Sequence, residues 1–230
     1  MEKITILQQE VPFLHIQKSN LKNIYIKIDQ EGTVVLKSPK ISRKRAVELL
    51  TKKANWIIKK RSEILSSKPK EIQTGTIISC YDKSYIAEVS VENSKVVKLI
   101  KDSSQLKFKL GHSINQQLSI QLLLDKFYQS ESKRIIPERL VFLSHKTGLN
   151  YQELKFRKMK RQWGNCSFKN TITINSKASI LAPDELDYLL IHELCHTKVK
   201  NHSKAFWLEV EKHLPNYKSL DKSLKKYRLD

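Results

Sequence analysis

An α+β fold is expected for this chain. Strand-like alternation fills its first forty residues and returns between about 76 and 110, while helical spacing dominates the C-terminal half. Phe13, His15 and Gln17 alternate with Leu14, Ile16 and Lys18, and Ile24, Ile26 and Ile28 alternate with Tyr25, Lys27 and Asp29. Gly32 turns the chain into a third strand over Thr33–Lys37, which Pro39 ends. Ser42 then caps a helix expected to reach about Leu65, with Ala46, Leu49, Leu50, Ala54, Ile57 and Ile64 on its apolar side. Ser66-Ser67-Lys68-Pro69-Lys70 reads as a linker.

The second β-rich stretch comprises Thr76–Cys80, Ser84–Val89, Val96–Lys101 and Gln105–Leu110. A helical region follows from near Ser113 to about His145, with Pro137 expected to restart it, and Gly148-Leu149-Asn150 closes it. Strands over Leu154–Met159 and Thr171–Asn175 flank a turn at Trp163-Gly164-Asn165-Cys166-Ser167, and helix runs from Pro183 almost to the end. No repeat at a fixed period is visible. The expected organisation is a hairpin-rich region with a basic helix over 1–68, a second β-rich region over 69–112, and a third domain over 113–230.

Composition excludes several classes. Hydrophobic residues make up 40% and charged residues 29% of 230, as in ordinary globular proteins. No apolar run reaches the ~18–20 residues of a membrane span, and the N-terminus lacks the pattern of a secretory signal. Cys80, Cys166 and Cys195 are too few and scattered for a disulfide framework, so a reducing cytoplasm is expected. The formal charge is +20, and only 8 of the 43 basic residues are Arg. A lysine-rich solvated surface explains this, and so does a nucleic-acid footprint on Arg43, Lys44, Arg45, Lys52, Lys53, Lys59, Lys60 and Arg61. Trp56, Trp163 and Trp207 are expected to be core anchors.

The chemistry concentrates in Leu189-Leu190-Ile191-His192-Glu193-Leu194-Cys195-His196. On a helix His192 and His196 lie one turn apart on one face and can hold one metal ion. Glu193 sits about 100° round the axis, placed to take the proton of a water on that ion. The apolar flanks suit a buried active-site helix. His202, six residues beyond His196, has the spacing of a third ligand, although Val199 stands where the related HExxHxxGxxH pattern has glycine. Asn201 is a candidate to end the helix in a left-handed turn; the other reading of His202 is a polar residue opening the next helix. Three protein ligands leave a fourth position open, as a catalytic site needs. Cys195 reads as a small buried thiol rather than a nucleophile, and Cys166 as a residue near the pocket. Arg161 and Tyr188 are candidates for substrate or oxyanion contact, and Ser203–His213 is expected to pack behind the ligands.

Arg161-Gln162-Trp163-Gly164-Asn165-Cys166-Ser167, Ile174-Asn175, Pro183, Asp187-Tyr188, His192–His196, Asn201-His202-Ser203, Phe206-Trp207 and Pro215-Asn216-Tyr217 together resemble the YgjP-like metal-dependent hydrolases, a group of zincin-like metallopeptidases. The likeness extends more loosely over the N-terminal part. Asn165 stands where the family usually has Ser, and Thr197 where it has an apolar residue. The resemblance implies a small zincin-like domain carrying the HExxH helix, with His192, His196 and His202 on zinc (Zn2+) and Glu193 as general base. The spacing is also similar to the SprT-like DNA–protein crosslink proteases. The leading expectation is therefore a zinc-dependent hydrolase of peptide or protein substrates. The alternatives are a basic nucleic-acid-associated protein with a structural metal site, and a metallohydrolase of non-peptide bonds. No membrane partner is expected.

Overall fold

The computed structural model describes residues 2–29, 31–66, 71–93, 97–112, 115–227 and 229. Beyond Ser66 the expected linker lies outside them, as do Val96 and Ser113. The chain is α+β, with six helices and three sheets among the described residues, and it divides into two compact units, Met1–Glu71 and Ile72–Asp230.

The first unit opens with β1 (Glu2–Ile6), paired to β2 (Gln9–Gln17) across a two-residue turn. Leu7 and Gln8 hold φ of 48° and 63°, a left-handed pair usually given to Gly, Asn or Asp. β3 (Tyr25–Ile28) and β4 (Val34–Ser38) complete a sheet of order β1-β2-β4-β3, in which only the β2–β4 pair is parallel. The single helix expected after Ser42 is two, α1 (Arg43–Lys52) and α2 (Ala54–Ser66). Ser42 Oγ does accept from Arg45 N at 3.2 Å. The break falls at Lys53, but Ala46, Leu50, Ala54 and Ile57 keep helical spacing across it and bury against Val11, Phe13, Val34 and Leu36.

The second unit begins with the same topology. β5 (Ile77–Cys80), β6 (Lys83–Val91), β7 (Lys98–Lys101) and β8 (Gln105–Leu110) form a sheet of order β5-β6-β8-β7, with only β6–β8 parallel. Buried positions correspond between the sheets. Ile4, Ile6, Val11 and Phe13 stand 74 positions before Ile78, Cys80, Tyr85 and Ala87, and Val34 and Leu36 stand 72 before Leu106 and Phe108. In the following helix Ala46, Leu50 and Ala54 stand 74 before Ile120, Leu124 and Tyr128. A ββββα module thus occurs twice, with a drifting offset and different core identities, which is why no fixed period shows in the sequence.

α3 (Gln116–Thr147) is the spine of the second unit, about 48 Å long. Its first half buries Ile120, Leu124 and Phe127 against the β5–β8 sheet. Its second half buries Ile135, Ile136, Leu140 and Leu143 in the C-terminal core. Pro137 lies inside this helix rather than restarting it. Burying four aliphatic side chains, at about 1.5–3 kcal/mol each, outweighs the ~3 kcal/mol cost of an interior proline. Gly148 closes α3 in the left-handed conformation, φ 70°, its N–H on Ser144 O.

β9 (Glu153–Arg157), β10 (Gly164–Cys166) and β11 (Thr171–Asn175) form a sheet of order β10-β11-β9. Gly164-Asn165-Cys166 is therefore an edge strand, not the turn expected there. The helical C-terminal region is three helices: α4 (Pro183–Lys198), α5 (Lys204–His213) and α6 (Tyr217–Leu224). Pro183 and the acidic Asp184 and Glu185 open α4, as its positive N-terminal dipole end favours. Arg139 on α3 grips Asp187 on α4 with two parallel bonds, 2.6 and 2.5 Å, and so sets the rotation of the site-bearing helix. No helix among the described residues is long and apolar enough to cross a membrane.

Candidate metal centre

α4 presents His192 and His196, and the chain after it returns His202 to the same point. His202 Nε2 lies 3.1 Å from His192 Nε2 and 3.2 Å from His196 Nε2, and one nitrogen of each ring lies within 4.8 Å of the other two, so the three could hold one metal ion. The return differs from the turn expected at Asn201. α4 ends at Lys198, and Val199 leaves it in an extended conformation, φ −125°. The Val199 carbonyl then faces back and accepts from His196 Nδ1 at 3.0 Å. That bond leaves the His196 Nε2 lone pair free for a cation. Ser203 opens α5, whose Phe206 ring stacks on His196 at 4.2 Å and 21°.

The electrostatics favour the uncharged form of the His192 and His196 rings. Burial, then the neighbouring His196 and His202, holds the His192 imidazole down to about 3, and burial also lowers His196. Neutral imidazoles are the form that binds metal. An ion with metal–nitrogen bonds of about 2.0–2.1 Å in tetrahedral array has ligands about 3.3 Å apart, close to the observed spacing. The donor set therefore fits a divalent cation.

Glu193 is 3% exposed, and its Oε2 is buried with no hydrogen-bond partner, as is His192 Nδ1. Burial alone pushes the Glu193 carboxyl up to about 8. A cation beside it acts the other way and favours the carboxylate. β10 passes directly over this side chain. A Cβ on Gly164 would fall 2.6 Å from Glu193 Oε1 and 2.9 Å from its Cδ and Cγ. Gly164 therefore clears space for the carboxylate. Gly164→Ala is expected to keep fold and metal content but to lower kcat about 100-fold, measured beside ion content, because the carboxylate must shift by about an ångström.

Glu193 and His192 border a cleft of about 450 Å³, whose walls include Trp163, Tyr188, Leu189 and Arg161. Tyr188 is buried and donates to Asp221 Oδ1 at 3.1 Å, so its hydroxyl is already engaged. Arg161 is exposed at the cleft, which leaves it the more available of the two for substrate. Cys195 is fully buried and its thiol is pushed up to about 12 by burial, so it is inert. Cys166 is half-buried, with Lys200 Nζ 3.9 Å from its sulfur. Trp163 is a core residue and Trp207 stacks on Tyr217, but Trp56 is 46% exposed on α2 and anchors no core. The eight basic residues considered for nucleic acid all lie on or beside α1 and α2 of the first unit.

Two supports of the site were not read from the sequence. Asn175, 1% exposed, donates from Nδ2 to Met159 O at 2.8 Å and Gln162 O at 3.2 Å, and its backbone N–H donates to Trp163 O. It thereby holds the loop that delivers Gly164. Glu185 accepts from Ala182 N, from Tyr227 at 2.6 Å and from Ser223, fastening α6 and the residue Tyr227 beside the cleft. Burial raises the Glu185 carboxyl, but these hydrogen bonds outweigh it and hold it below its ordinary 4.5. The resulting stability is present above about pH 4.5 and is lost as pH falls through the lower folded value. In thermal melts across pH, Glu185→Gln is expected to lower Tm at pH 7 and to lower it progressively less as the pH falls below 4.5.

The profile of a YgjP-like, metallopeptidase domain matches residues 22–227. The class this chain falls in is thus the metallopeptidases. The chain belongs to the YgjP-like metallopeptidase family. Among solved structures it is similar to the metallopeptidase zymogen of Pyrococcus abyssi abylysin, with 32% identity and a TM-score of 0.37 over 40% of this chain and 94% of that one. It is also similar to the metallopeptidase zymogen of Methanocaldococcus jannaschii jannalysin, with 22% identity and a TM-score of 0.35 over the same shares. The sequence matched none of the curated proteins compared with it.

Proposed function

We propose that this chain is a zinc-dependent peptidase in which His192, His196 and His202 hold the ion and Glu193 is the general base. The observation that carries this reading is the meeting of the three imidazoles at one point, with Nε2 separations of 3.1 and 3.2 Å. When bound, zinc supplies a Lewis acid that polarises the scissile carbonyl and makes a water molecule acidic near pH 7. Glu193 Oε2, free of any hydrogen bond, takes the proton of the attacking water and returns it to the departing amine. Gly164 and the edge strand β10 hold that carboxylate in place, and Phe206 packs against all three rings. Arg161 meets the substrate at the cleft. The three free thiols fit a reducing, cytoplasmic setting.

The test is hydrolysis of unfolded protein such as casein, before and after chelation. Activity is expected to vanish with the chelator and to return with stoichiometric zinc. Activity that survives complete removal of metal contradicts the reading.

A further inference from the structure

The first unit carries a surface that its own fold does not require. From Arg43 to Arg61 stand eight basic residues and one acid, Glu48. Trp56, 46% exposed, lies among them on α2. Lys53 precedes it by three residues, and Lys59 and Lys60 follow by three and four on α2, so these three flank the indole by about one turn, while Lys52 ends α1 just before the break. All four lysines are exposed. Lys60 shares an exposed pair with Glu63 at 3.0 Å, which exchanges readily for another anion. Lys52, Lys53 and Lys59 make no ion pair among the described residues.

The repeated module supplies an internal comparison. At the 74-residue offset that matches Ala46, Leu50 and Ala54 with Ile120, Leu124 and Tyr128, Trp56 corresponds to Ser130 on α3, also exposed. The scaffold thus folds without a large aromatic at that position. An exposed indole on a helix face rich in exposed lysines suits a ligand with a flat apolar face and repeated negative charges. A membrane surface is a poorer match, because Ala54 and Ile57 are turned into the core and Trp56 is, among the described residues of α1 and α2, the one large apolar side chain that is exposed.

We propose that the α1–α2 face binds single-stranded nucleic acid, with a base stacked on Trp56 and backbone phosphates on Lys52, Lys53, Lys59 and Lys60. Aromatic stacking with lysine contacts gives binding that tolerates sequence and depends strongly on salt. The inference stands apart from the metal centre and holds or fails without it.

The test is fluorescence anisotropy of the full chain with a labelled fifteen-residue oligothymidylate. Four phosphate contacts predict a slope of log K against log salt of about −3, hence roughly 60-fold weaker binding at 200 mM than at 50 mM salt. Trp56→Ala is expected to weaken binding about tenfold and Trp56→Phe to preserve most of it. Replacing the four lysines by alanine is expected to flatten the salt dependence. Circular dichroism checks that each variant folds. Absence of binding at 50 mM salt, equal affinity of wild type and Trp56→Ala, or tighter binding to the matching duplex each overturns the proposal. So does capture on phosphatidylserine vesicles without any binding of the oligonucleotide.

Discussion

Glu193→Gln is expected to abolish peptide hydrolysis while leaving the bound ion in place. The amide is nearly isosteric and keeps the contact beneath Gly164, but it cannot accept a proton. General-base catalysis contributes on the order of 10²–10⁴ in rate, so kcat is expected to fall by at least that range with KM little changed. Ion content measured on the same sample separates the two roles. Undiminished turnover in the zinc-loaded variant removes Glu193 from the reaction. Lost zinc together with lost turnover means that the substitution disturbed the ligands instead.

His202→Ala is expected to have the largest effect on the ion. Structural zinc sites with four ligands bind with about 10–16 kcal/mol, so one imidazole corresponds to about 3 kcal/mol, on the order of a hundredfold in affinity. His202 is exposed and follows the helix, so its loss leaves the core of α4 intact. Binding also stabilises the folded chain by linkage, about 2.7 kcal/mol at a hundred times Kd. Zinc is therefore expected to raise Tm in the wild type and to have little effect on the variant at the same concentration. An equal rise in both leaves His202 outside the site.

What was legible in the sequence follows from how local the cause is. Chelation by one helix requires two imidazoles four residues apart, and burial requires apolar flanks, so Leu189–His196 announces itself. The capping of α1 by Ser42 is equally local. Long-range causes left weaker traces. Gly164-Asn165 has the composition of a turn, but the glycine is there to clear Glu193, 29 residues on in the chain. The hairpin at Leu7-Gln8 uses left-handed residues that carry no turn signature, so β1 was not distinguished. Asn175 and Glu185 act through partners up to forty-two residues away, which no periodicity records. Trp56 was expected inside because large aromatics usually are, and its exposed position shows only once the helix is docked.

Catalysis as proposed depends on one ion shared by three rings. A crystal of the zinc-loaded chain, measured on either side of the zinc absorption edge, tests this directly. One anomalous peak is expected at about 2.0–2.1 Å from the Nε2 atoms of His192, His196 and His202. A crystal grown in saturating zinc with no peak there, or with its peak on other residues, contradicts the shared site.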